Sequence, residues 1–141
     1  MKVEHAKRLD EQDHRSLVLW AADCAEHVLP YFEEKYPKDG RPRKALEAGR
    51  AWVRGEIAMS EARAAALAAH AAARDADHAA ARAAARAAGH ARHAAAYAVT
   101  AATDAAVPAA AAASTTKERD WQYRRLPEHL RPVAFPVRGN G

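Results

Sequence analysis

From Ser16 to Phe32 apolar side chains recur three and four residues apart, with Leu17, Trp20 beside Ala21, Cys24, Val28 and Phe32 falling on one stripe. That spacing predicts an α-helix carrying the largest apolar groups of the chain on one face. Pro30 predicts a kink or an end to it, and Tyr36-Pro37-Lys38-Asp39-Gly40 has the composition of a turn. A second helix is expected from Arg41-Pro42, where a first-turn proline loses no needed N–H, to about Gly55. Its inward face reads as Ala45, Ala48 with Gly49, and Trp52 with Val53, so Trp20 and Trp52 are expected to join the first two helices to an Ala-rich pair.

Beyond Ser60 the pattern loses contrast, because nearly every position to Ala106 is Ala, Arg or His, all compatible with a helix. Ser60 is placed to cap a third helix, with Glu61 near its positive end. A single rod of that length would bury almost nothing, and Asp75-Ala76-Asp77 offers a fresh cap. Two helices are therefore expected, about Glu61 to Arg74 and His78 to Ala106, the second bent at Gly89 and closed by Pro108. Ala109 to Thr116 reads as a low-complexity linker, helical or frayed. Thr115 with Glu118 three residues on forms a capping box for a last helix through Trp121 to Leu126. The tail from Arg131, with Pro132, Pro136 and two glycines, reads as extended.

Composition narrows the class. Half the residues are hydrophobic, but 41 are Ala and only 19 are Leu, Ile, Val or Phe, so the core is thin. Lys and Arg (22) against Asp and Glu (18) are too balanced for repulsion to hold the chain open. No alternating β-branched run occurs, and no period of 20 to 50 residues repeats. The expected fold is all-α, a small Ala-rich bundle of about five helices. It would form one domain over residues 1–133, with an Ala-rich stretch at 61–113 and a flexible tail at 134–141. No apolar run is long enough to span a membrane, Met1 to Arg15 carries no apolar signal core, and the one cysteine, Cys24, cannot form an internal disulfide. A cytoplasmic protein is expected.

The net charge of +4 invites a nucleic-acid reading, but neither Glu61 to Thr100 nor Lys117 to Gly141 concentrates cations as a basic arm would, so nucleic acid is disfavoured as a partner. His70, Arg74, His78, Arg82, Arg86 and His90 fall every four residues and draw a slowly winding polar ridge. It reads either as the solvated side of an Ala helix or as a cationic stripe facing an acidic protein partner. Asp23 and His27 stand at i,i+4, where the carboxylate can hold the imidazole, with Glu26 beside them. These three with His70 and His90 are the best available set for a small metal-dependent or hydrolytic enzyme. The ligand spacings of known metal motifs, phosphate loops and nucleophile elbows are missing, so no metal, cofactor or catalytic residue is assigned. Cys24 lies on the apolar stripe and reads as a small buried hydrophobe.

Three segments carry a family resemblance: Leu19-Trp20-Ala21-Ala22-Asp23-Cys24-Ala25-Glu26-His27-Val28-Leu29-Pro30; Arg41-Pro42-Arg43-Lys44-Ala45 leading to Ala51-Trp52-Val53-Arg54-Gly55-Glu56; and Ala83 to His90 with its Ala88-Gly89-His90. With Trp121-Gln122 and Leu126-Pro127-Glu128-His129-Leu130 they resemble the immunity protein family of bacterial toxin and immunity systems, across most of residues 16–133. After His90 the sequence is shorter than the family pattern by about two helical turns. The resemblance implies a small helical cytoplasmic protein, not an enzyme, that binds a cognate toxin domain and neutralises it. The residues expected to meet that partner are Asp23, Glu26, His27, Arg41, Arg43, His70 and His90. A metal-dependent or hydrolytic enzyme and a nucleic-acid-associated helical protein are the competing readings.

Overall fold

The computed structural model describes residues 10–89 and 110–135, with positions 100, 101, 104 and 105 between them. In chain order the elements are α1 (Glu11–Val28), α2 (Pro30–Glu33), α3 (Arg41–Val53), α4 (Met59–Asp75), α5 (Ala79–Gly89), α6 (Ala111–Arg125), a 3-10 turn (Glu128–Leu130) and α7 (Arg131–Ala134). Among the described residues there is no strand, and five helices run for 11 residues or more, as the periodicity requires.

Local chemistry sets the ends. α1 begins five residues before its apolar stripe because the Asp10 carboxylate accepts the Asp13 N–H at 2.8 Å, while Glu11 and Asp13 sit at the positive end of the helix. Pro30, with no N–H to continue the ladder, starts α2 directly after Leu29. The expected cap at Ser60 is corrected. Ala58 precedes α4, and the Glu61 carboxylate reaches back to accept its N–H at 3.1 Å, so Ser60 lies inside the first turn. The expected capping box at Thr115 is also corrected. α6 runs unbroken from Ala111, and the Thr115 and Thr116 hydroxyls donate to the Ala111 and Ala112 carbonyls one turn back. Alanine's helix preference makes the described part of the expected linker helical from Ala111.

The break at Asp75-Ala76-Asp77 is present. Ala76 is extended, the Asp77 N–H donates to the Tyr36 hydroxyl at 2.6 Å, and Arg82 donates to the Ala76 carbonyl at 2.8 Å. Its effect is to fold α5 back against α4. α5 then packs on α1, α2, α3 and α4 and is buried on almost every side, with Ala81, Ala83, Ala84, Ala85, Ala87 and Ala88 all inside. Only methyl-sized side chains let four neighbours approach one helix so closely. Of the continuation expected to Ala106, positions 100, 101, 104 and 105 are helical; the rest of it, with Pro108, lies outside the described residues.

Larger side chains close the core from the α1 side: Trp20, Cys24, Val28, Leu29 and Phe32, with Leu46 of α3 and Leu126 and Leu130 beyond α6. The inward face of α3 differs from expectation. Pro42, Ala45 and Leu46 are buried, whereas Gly49, Trp52 and Val53 are half-buried. Trp52 lines a surface cleft of about 500 Å³ with Glu11, His14 and Arg15. Trp20 does enter the core, yet its indole N–H donates to the Gln122 carbonyl at 2.8 Å, tying α1 to α6. Arg131 to Ala134 form a helical turn where extended chain was expected, and Phe135 meets Trp20 edge-on at 6.0 Å. No helix among the described residues is long and apolar enough to cross a membrane.

Candidate partner-binding face

One side of α1 carries Asp23, Glu26 and His27, and α3 and α6 bring partners to each of them. Asp23 accepts from Arg50 at 2.8 Å and from Arg125 at 3.2 Å; Glu26 lies 2.7 Å from Arg50 and 3.4 Å from Arg43. Arg43 makes a two-pronged pair with Glu33, at 3.0 and 2.7 Å. The result is a continuous chain of ion pairs across α2, α3, α1 and α6. Guanidinium groups are permanently charged and grip carboxylates through two parallel N–H donors, which holds the array more firmly than ammonium groups would.

The expected Asp23 to His27 contact is not made. His27 Nδ1 instead lies 3.0 Å from the Glu118 carboxylate, and its ring stacks on Trp121 with centroids 3.6 Å apart and planes 7° from parallel. The Arg125 guanidinium sits 5.1 Å from the Trp121 centroid. The Glu118 side chain is only 6% exposed, so its charge has been taken out of water and depends on the His27 contact. Asp23 turns the other way because two arginines reach it, and guanidinium groups are permanently charged donors to a carboxylate.

Arg41 heads a separate cluster. It grips Asp39 through Nε at 2.9 Å and Nη2 at 2.7 Å, and reaches Asp75 at the end of α4 at 3.1 Å. These hydrogen bonds hold the Asp39 carboxyl below its usual range and raise the Arg41 pKa further. Arg43 is raised in the same way, chiefly by Glu33. Both arginines expected to meet a partner are thus already satisfied within the chain.

The remaining candidates do not join this face. His70 stands on α4 with its ring beside Gly89 of α5, and His90 lies outside the described residues. The α4 to α5 break divides the four-residue ridge. Arg74 and Arg86 are exposed, His78 turns edge-on to Tyr36, and Arg82 is taken up by the turn. Among the described residues no three His, Cys, Asp or Glu side chains converge to hold a metal ion. Asp23 and Glu26 are committed to guanidinium groups, an arrangement opposite to that of a cation site. Cys24 is fully buried, and burial first, then the Glu118 and Asp23 carboxylates, push its thiol up to about 12. That thiol is packing, not a nucleophile.

Sequence reasoning missed Glu33, Arg50, Glu118, Trp121 and Arg125. The signal for the last three was present: Glu118, Trp121 and Arg125 succeed one another at intervals of three and four and share one face of α6.

A family model described as Imm-5 like putative immunity protein matches residues 7–129. The chain belongs to that family. No curated protein matches it, and no solved structure does. The Imm-5-like match takes in every member of the ion-pair chain and of the His27, Glu118, Trp121 and Arg125 group. It ends at His129, which meets Asp13 of α1 at 2.9 Å. In this Imm-5-like fold, then, α6 is fastened to α1 along its length by Glu118, the Gln122 carbonyl, Arg125 and, just beyond it, His129.

Proposed function

We propose that the chain is a stoichiometric, non-catalytic inhibitor that binds and neutralises a cognate toxin domain in the cytoplasm of the cell producing both. Membership of the Imm-5-like immunity family carries this reading. The α1, α3 and α6 face supports it: Trp121, His27, Arg43 and Arg125 combine aromatic and guanidinium anchors, the residue types that dominate protein interfaces. Their neighbours already fix their positions, so little side-chain freedom is lost on docking. A toxin variant with the wrong charge against Glu26 or Arg43 would face an unpaired, desolvated group, which gives selectivity between related toxins. Asp23, Glu26, His27, Arg41, Arg43, His70 and His90 remain the proposed partner-facing set. Arg125 and Trp121 join it.

The test is co-expression with the toxin domain encoded beside the gene, together with capture of that domain on the immobilised chain. Rescue and a one-to-one complex are expected. Arg125→Ala should weaken both while lowering the melting temperature only slightly, since that side chain is 51% exposed and its pair with Asp23 is screened by solvent. A parent chain that neither rescues cells nor captures the domain overturns the reading.

A further inference from the structure

The face built on α1 is electrically self-contained, because its carboxylates and guanidinium groups are paired with one another. Among the described residues, exposed cations that the chain has not used on itself include Lys44, Arg86, Lys117 and Arg119, and two more stand together on α4. Arg63 and Arg74 are exposed and, among the described residues, take part in no hydrogen bond or ion pair, in contrast to Arg15, Arg41, Arg43, Arg50, Arg54, Arg124 and Arg125. Between them stands Leu67, 64% exposed and, among the described residues, the most exposed large apolar side chain. Positions 63, 67 and 74 are one and nearly two turns apart and share the side of α4 opposite its buried residues, Ala69, Ala72 and Ala73. Ala64 and Ala71 flank Leu67 and leave the helix surface low enough for another backbone to approach. The acids near this side are engaged elsewhere: Glu61 holds the Ala58 N–H, and Asp75 holds Arg41.

Resting on the reading of the chain as a toxin inhibitor, we propose that the Arg63, Leu67 and Arg74 side of α4 is the docking surface for an acidic segment of the toxin domain. The segment would present an apolar side chain to Leu67 and carboxylates to the two arginines. Charge complementarity selects this occupant. Free guanidinium groups steer and then pair with carboxylates at no cost in broken internal pairs. The sequence had marked part of this feature, since Arg74 belongs to the four-residue ridge; the structure shifts the emphasis to Arg63 and Leu67, which the ridge left out.

The experiment measures binding of the full chain to the purified toxin domain at low and moderate salt. It compares the parent with Arg63→Glu/Arg74→Glu, with the milder Arg63→Gln/Arg74→Gln, with Leu67→Ser, and with Arg125→Ala on the other face. The three α4 variants should keep the parent's helical circular dichroism and melting temperature. Charge reversal should weaken binding by more than about tenfold, mainly through a slower on-rate, and flatten its salt dependence. The Gln pair should give a smaller loss of the same kind, and Leu67→Ser should speed dissociation. If the parent binds and the α4 variants bind within about threefold of it, with salt dependence unchanged, the α4 surface is wrong while the inhibitor reading stands. A parent that does not bind the toxin domain overturns both.

Discussion

Two glycines inside helices should respond to the same substitution with opposite signs. Replacing a helical glycine by alanine removes backbone freedom from the unfolded chain and favours the helix by about 0.5–1 kcal/mol. At Gly49 of α3 the new methyl group meets nothing within 4 Å beyond its own helix. It would stand at the edge of a small cleft of about 40 Å³ lined by Val18, Ala21, Leu46 and Ala88 without touching its walls, so the gain is that of helix preference alone. At Gly89 of α5 the same methyl carbon would lie 3.0 Å from the Ala66 carbonyl oxygen, 3.2 Å from the Ala69 Cβ and 3.3 Å from His70 Nε2. The imidazole can swing aside; the carbonyl is part of the α4 backbone and cannot move without separating the helices. Overpacking of that kind costs about 1–3 kcal/mol, which exceeds the propensity gain. Gly49→Ala should therefore stabilise by about 0.5–1 kcal/mol and Gly89→Ala destabilise by about 0.5–2 kcal/mol. Urea unfolding monitored at 222 nm reads both, with the midpoint moving up for the first and down for the second at constant slope. In melting temperature each kcal/mol is about 2–4 °C for a chain of this size. A Gly89→Ala variant as stable as the parent would refute the close approach of α4 and α5, and a destabilised Gly49→Ala would refute the open space beside α3.

His27→Ala leaves the Glu118 carboxylate buried without that partner and should cost about 1–3 kcal/mol; a variant that melts like the parent would show that this contact does not hold α6. Trp20→Ala should cost about 3–5 kcal/mol, because the ring is in the core and its N–H serves the Gln122 carbonyl, while the half-buried Trp52 should lose less than half as much; equal losses would return Trp52 to the core. Cys24 should resist a thiol reagent at pH 8 in the folded chain, where a pKa of about 12 leaves about one thiolate in ten thousand, and react fully in denaturant; rapid reaction of the native chain would contradict its burial.

The parts of the fold that were legible in the sequence are those with contrast between side chains. α1 and the start of α3 were legible because large apolar groups alternate with charge and because Pro30 and Pro42 mark positions where a missing N–H is harmless. α5 was legible as a helix but not as the central one. With alanine at most positions, the buried and exposed sides of Ala79 to Gly89 differ only through Arg82 and Arg86, and no periodic pattern distinguishes a helix packed on four neighbours from one half in water. Helix spacing likewise names only neighbours on the same helix, which is why Asp23 was assigned to His27. The actual partner of His27 lies 91 residues away, and the i,i+3 pattern of Thr115 and Glu118 suggested a cap that the preceding alanines made unnecessary.

α6 explains why the proposed face could not be read from hydropathy. Its buried side chains are Glu118 and Gln122, so its inward side is polar, and it is docked by directed contacts to His27, Trp20 and Asp23, with Leu126 and Leu130 supplying the apolar anchor beyond its end. An alanine core lacks the area to hold such a helix by burial alone, and the polar ties fix its register where apolar packing would be permissive. The consequence falls on function. The residues that fasten α6 are the ones that make up the aromatic and guanidinium face, so substituting His27 or Glu118 disturbs fold and face together. Arg63, Leu67 and Arg74 touch none of those ties, and a loss of toxin binding there with unchanged melting would separate recognition from folding.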